Sequence, residues 1–208
     1  IADHLTLPDL YSAAVQTMKM TGQLQVGTLM FTKPVIWSQI IEEFYLRLGY
    51  TLSADDGVDL QLLELAQSQD KPVLNVESGL DQLQMLYGFS DEIQESILAS
   101  TLSIDPASYN STQMELYELW CEGDEKKLIA AMEVDTSDMS QEELALYEEY
   151  EQAMHNDRNE QMLQVAEGYL ESGETVFFAV GLAHLLAEDG LVNALRDAGY
   201  TVELVSYS

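Results

Sequence analysis

The sequence predicts an α/β domain in which a small, mainly parallel sheet with βαβ units carries an extensive helical layer. Three observations lead there. Residues 175–180 are β-branched and aromatic with no polar break, as expected for a strand buried on both faces. Beyond the turn, Leu191, Leu195 and Ala198 form an apolar helical stripe closed by Gly199, and 201–205 read as strand again. A helix that returns the chain to a second parallel strand is a βαβ unit. Such sheets place ligands beyond the carboxyl ends of their strands, where Gly181 and His184 fall.

From the N-terminus, Pro8–Met20 reads as an amphipathic helix with Leu10, Ala13, Ala14 and Met18 on one side. Pro34 opens a second helix at a position proline tolerates; Ile36, Ile40, Phe44 and Leu48 mark its buried stripe and Gly49 stops it. Asp55 and Asp56 with Gly57 are turn chemistry, and 58–69 is a third helix carrying Leu60, Leu62, Leu63 and Leu65. A short strand, 72–76, delivers Glu77.

Residues 78–172 form a helical layer inserted between the strands 72–76 and 175–180. Its predicted elements are 80–87, 91–102, 112–121, 125–133 and a long helix from 141 to about 170. Ser90, Ser111 and Ser140 precede three of them at N-cap positions, and Ser140 with Glu143 has capping-box spacing.

At 208 residues, 47% of them hydrophobic, the chain can bury one substantial core, so 1–208 is read as a single domain. A formal charge of −29, from 37 acidic against 8 basic residues, argues against nucleic acid or an anionic membrane as partner. A solvated acidic surface accounts for that charge; a face for a cationic partner is the rival reading. Cys121 is the only cysteine, which rules out an internal disulfide. No apolar run approaches the ~20 residues that span a bilayer. The chain begins with Ile, which suggests a trimmed or processed product; if an upstream signal or lipid anchor was removed, an extracytoplasmic or cell-envelope location is expected. Nothing in the pattern specifies an oligomeric state.

On the long helix, Tyr147, Tyr150, Met154, Met162, Val165 and Tyr169 share one face, and Arg158 falls among them. A guanidinium there pairs with a carboxylate, with Glu77 the first choice, or binds an anionic ligand group, or carries its charged end out to the helix flank. Asn159 beside it is a capping or supporting polar residue, and His155 lies one turn earlier, off the stripe. His184 is either a hydrogen-bonded structural residue or a ligand and proton carrier. If the strands 72–76 and 175–180 are parallel in one sheet, Glu77 and His184 emerge at the same edge. A carboxylate, an imidazole and an arginine suffice for general acid/base chemistry but not for a zinc site of three protein ligands. No phosphate-cradling glycine loop, HExxH or G-x-S-x-G elbow is present.

Those same residues carry a family resemblance. Gly181, Leu182, Ala183 and His184, followed by Glu188, Asp189, Gly190 and Leu191, resemble the second GxxH motif of the TraB/GumN family, a strand, G-x-x-H and E-D-G-L. Gly57 with Asp59 resembles its G-x-D helix start, and Lys71 to Leu74 with Glu77 its K-P-V-L-x-L-E strand. Trp120 with Gly123 and Asp124 resembles W-x-x-G-D, and Asp157, Arg158 and Asn159 resemble E-R-N. The similarity runs from about residue 3 to 205.

The resemblance implies kinship with Tiki-type metalloproteases and, more distantly, with erythromycin esterase and ChaN-like proteins, an α/β fold with two GxxH motifs. The first motif is expected upstream of Asp3, His4 and Leu5; Gly27 to Met30 imitates its wording but ends in methionine. The fold is expected to lack its N-terminal part, either because the first strand and motif have been lost or because this member is divergent, and in both cases this chain alone is expected to be inactive. The implied activity is a metal-dependent hydrolase acting on peptides or another small-molecule substrate. In it His184 and Glu77 hold a divalent ion, with Zn, Mn and Co not distinguished; Glu77 is alternatively the base. Arg158 orients Glu77 or stabilises an oxyanion, while Gly181, Asp59, Asn159 and Glu188 support the site. The alternatives are a non-catalytic protein that sequesters a peptide or signal molecule in the same cleft, and an acidic scaffold for a cationic partner.

Overall fold

The computed structural model describes residues 1–22, 26–49, 57–186 and 189–205. The chain divides into two compact units, Ile1–Cys121 and Glu122–Ser208. After a 3-10 turn, Ala2–His4, the first unit contains α1 (Pro8–Met20), α2 (Val26–Leu29), α3 (Pro34–Leu48), α4 (Val58–Ser68), α5 (Gly79–Gly88), α6 (Asp91–Ser103) and α7 (Pro106–Glu122), the last ending at the unit boundary. α1 and α3 begin on proline, whose fixed φ suits the first helical position and whose missing N–H is not needed there. Ser78 and Ser90 cap α5 and α6 by accepting from the N–H groups of Asp81 and Ile93.

The core of this unit is made by α3 lying along α6 with α1 packed against both. Ala14 and Met18 of α1, Trp37, Ile41 and Tyr45 of α3, Leu98 of α6 and Ile1 form one buried cluster. A fully buried side chain of that size contributes about 1.5–3 kcal/mol. Polar groups inside it are paired. Trp37 Nε1 donates to the Leu29 carbonyl at 3.0 Å, and Gln94 accepts from Val35 N–H at 3.3 Å while donating to the Phe89 carbonyl at 3.2 Å. The buried face of α3 is Val35, Trp37, Ser38, Ile41 and Tyr45, not the expected stripe through Ile36, Ile40, Phe44 and Leu48. Apolar residues cover much of that helix, so spacing alone does not choose between adjacent stripes, and the stripe holding Trp37 is the one that is buried.

The second unit contains α8 (Glu125–Met132), α9 (Gln141–Glu151), a π turn (Gln152–Asn156), α10 (Asp157–Ser172), α11 (Leu182–Leu185) and α12 (Leu191–Asp197). Leu128, Met162, Ala166 and Leu191 are its buried apolar residues, and α12 packs on both α10 and α11. Gly199 follows α12 at φ +94°, and the N–H groups of Gly199 and Tyr200 close on the carbonyls of Arg196 and Leu195, a Schellman ending that favours glycine.

The expected sheet is absent. Among the described residues there is no strand, and therefore no βαβ unit and no parallel sheet edge; the architecture is helical. The segments 72–76, 175–180 and 201–205 lie outside the helices, with Leu74, Phe177 and Leu204 at 67%, 79% and 83% exposure. Their composition suits a pleated, half-buried surface, but a ladder also needs partner backbones in register, and these segments enter none.

Two helical expectations also change. α7 begins at Pro106, so Ser111 is inside a helix and not at its cap; Asp105, accepting from Ser108 N–H at 2.9 Å, stands at the start instead. The long helix from 141 is interrupted by the π turn, which inserts one residue and rotates everything beyond it. The face buried by α10 is Asn159, Met162 and Ala166, one position past Arg158.

Candidate functional site

The G-x-x-H sequence folds as a single turn. Gly181 caps α11, and the N–H of His184 closes on the Gly181 carbonyl at 3.0 Å, so the three-residue spacing is that of one short helical bond. The turn buries the imidazole of His184. Gly181 itself is exposed at φ −57°, and a Cβ there would meet only His184 Cδ2 at 3.7 Å. Gly190 is the glycine that space requires, because a Cβ on it would lie 2.1 Å from the Leu186 carbonyl oxygen.

α10 meets this turn through Asn159, buried like His184. Asn159 Oδ1 lies 2.7 Å from His184 Nδ1, and its Nδ2 donates to the Asp189 carbonyl at 3.1 Å. One amide therefore joins the helix, the histidine turn and the entry to α12. Sequence reasoning placed Asn159 beside the site as a supporting residue; it was one residue of helical phase away from showing that Asn159, rather than Arg158, faces inward.

His155 went unassigned in the sequence. Its ring lies 5.4 Å from that of His184, tilted by 45°, and its Nε2 is 3.9 Å from a Glu151 oxygen. The available signal was its i, i+4 relation to Asn159, which puts both on one helical side. Burial, with the negative charge of Glu151 adding to it, pushes the Tyr147 phenol above its ordinary value. Arg158 is half-buried, and its Nη1 donates to the Met154 carbonyl at 3.1 Å, inside the π turn where the backbone ladder changes spacing.

Glu77 belongs to the first unit, half-buried, and accepts from Gln82 Nε2 at 2.9 Å. Asp59 is exposed in the first turn of α4, where a carboxylate complements the helix dipole. Glu188, and the turn residues Asp55 and Asp56, lie outside the described residues. Among the described residues there is no sheet, so the edge expected to unite Glu77 and His184 is not formed by them. An open cleft of about 620 Å³ in the first unit is lined by Gly49, Asn110, Ser111, Met114, Glu115 and Glu118, none of them a predicted site residue.

The donor chemistry suits a metal ion at one position. Nδ1 of His184 is engaged by an amide oxygen, the outer contact typical of ligating histidines. Among the described residues, however, no group of three His, Cys, Asp or Glu is arranged to hold an ion. No helix among them is long and apolar enough to cross a membrane.

No curated protein and no solved structure matches the chain. A family model does, over residues 2–204, and that span includes the histidine turn, the arginine–asparagine pair and Glu77 together. The chain belongs to the TraB/PrgY/gumN family.

Proposed function

We propose that the protein is a metal-dependent hydrolase acting on peptides, with His184 as the centre of its chemistry. The observation that carries this reading is the buried G-x-x-H histidine whose Nδ1 is held by Asn159. A buried imidazole whose Nδ1 is held by an amide oxygen is an arrangement shared by proton carriers and metal ligands. His184 would be one ligand of the ion, Zn, Mn or Co. A bound ion of that kind polarises a carbonyl and acidifies its water. Hydrolysis adds the water oxygen to the peptide carbonyl carbon and breaks the C–N bond; one water proton goes to the base and a proton is delivered to the leaving amine. Arg158 is proposed to stabilise the oxyanion.

The test is cleavage of a peptide library by the full-length protein, loaded in turn with Zn²⁺, Mn²⁺ and Co²⁺ and read by mass spectrometry. Metal-dependent cleavage that is lost in His184→Gln is expected. Peptide binding without turnover under all three ions would replace the hydrolase with a sequestering protein.

A further inference from the structure

We infer that Asn159 is a positioning residue that fixes the tautomer of His184, so that Nδ1 carries the hydrogen and Nε2 the lone pair. The argument begins with the amide. An amide can be turned either way about its last bond, but a backbone carbonyl only accepts, so the group facing Asp189 O at 3.1 Å is the NH₂ of Asn159. Its oxygen is thereby turned toward His184, 2.7 Å from Nδ1. An amide oxygen also only accepts, so Nδ1 is the protonated nitrogen of the neutral ring. The Asp189 carbonyl, 30 residues from Asn159 in sequence, thus sets the hydrogen position on the ring by fixing which way the amide faces. Both side chains are 7% exposed, which keeps bulk water from competing for these bonds.

Few side chains can replace an amide that must both donate and accept. Leucine keeps the size and loses both bonds. Aspartate keeps the acceptor for Nδ1–H but turns a carboxylate toward the Asp189 carbonyl. The inference rests on the proposed role of His184, since the tautomer matters only if Nε2 does chemistry, but its test does not involve turnover.

The chain has three histidines, so the ring resonances of ¹⁵N-labelled protein can be assigned with His184→Gln and His155→Gln. Long-range ¹H–¹⁵N correlation spectra recorded where the rings are neutral report which nitrogen holds the proton. In the parent, His184 is expected entirely as the Nδ1–H form. Asn159→Leu, with unchanged circular dichroism, is expected to convert it to a mixture or to the Nε2–H form, and Asn159→Asp to retain Nδ1–H. A parent spectrum with protonated Nε2 overturns the inference whatever the variants do, as does a folded Asn159→Leu with the parent tautomer. If Asn159→Leu fails to fold, the parent and Asn159→Asp decide, and loss of Nδ1–H in the latter is equally fatal. A correct tautomer in a protein that cleaves no peptide would leave the inference standing and remove the hydrolase.

Discussion

Glu95 holds Thr6 twice, accepting from its backbone N–H at 2.7 Å and its hydroxyl at 2.6 Å, and takes the N–H of Leu7 as well. These donors lie just ahead of α1, so a side chain on α6 satisfies the entry to the first long helix. Slight burial raises the Glu95 pKa, but the bonds from Thr6 and Leu7 outweigh it and the net shift is downward. A depressed carboxyl stabilises the fold above its ordinary value near 4.5 and loses that contribution as pH falls through the folded value. Glu95→Ala is expected to cost about 1 kcal/mol at pH 7, the low end for charge-assisted bonds because the site is solvent-screened. The gap from the parent in urea titrations should narrow as the pH is lowered below 4.

Glu42 acts in the opposite sense. Burial raises its pKa, against the lowering effect of the Thr101 hydroxyl that donates to it at 2.8 Å. A raised carboxyl favours the folded state below its ordinary value of 4.5 and loses that contribution as pH rises through the folded value. Glu42→Gln keeps an acceptor for Thr101 and removes the charge. The variant should melt above the parent at pH 7 and together with it at pH 4 or below; a lower Tm at pH 7 would contradict the sign.

Trp37 tests the first core. It is fully buried, with Nε1 donating to Leu29 and to the Thr32 hydroxyl. Trp37→Phe should cost about 0.5–1.5 kcal/mol for the lost Nε1 bonds, because the Leu29 carbonyl keeps the Thr32 N–H and hydroxyl as donors, and Trp37→Ala about 3–5 kcal/mol with the cavity included. Equilibrium unfolding measures both, and equal costs would mean that the cavity adds nothing to the loss.

The two glycines at the histidine turn should behave unequally, and not as motif membership suggests. Gly181→Ala meets only His184 Cδ2, at an ordinary contact distance of 3.7 Å, and should leave Tm within a degree or two of the parent. Gly190→Ala drives a Cβ into the Leu185 and Leu186 carbonyls at 2.6 and 2.1 Å, so the backbone carrying His184 must move. The expected result is a clear fall in Tm and a shifted His184 resonance in Gly190→Ala alone.

Helix ends were the most legible part of the sequence because their signals are local. Pro8, Pro34, Ser90 and Ser140 each mark a start through a backbone or hydroxyl constraint that no distant residue alters, and the Ser140–Glu143 capping box forms as its spacing predicts. Pro106 carried the same signal as Pro8, and the more general serine rule at Ser111 obscured it. The strands were misread because their partners are not local: 175–180 has the side chains of a buried strand, while pairing is a property of two segments. In the site, His184 was legible from its turn, but the inward position of Asn159 depended on a π turn that leaves no mark on apolar spacing.

The extended apolar segments have a colloidal consequence. Phe177, Leu74 and Leu204 stand in stretches of high β-propensity that enter no ladder within the described fold, the kind of surface that templates intermolecular cross-β stacking. A formal charge of −29 opposes that association by keeping molecules apart. The acidic composition then acts as a gatekeeper for these stretches, and its protection diminishes with each carboxylate that takes up a proton or is screened by salt.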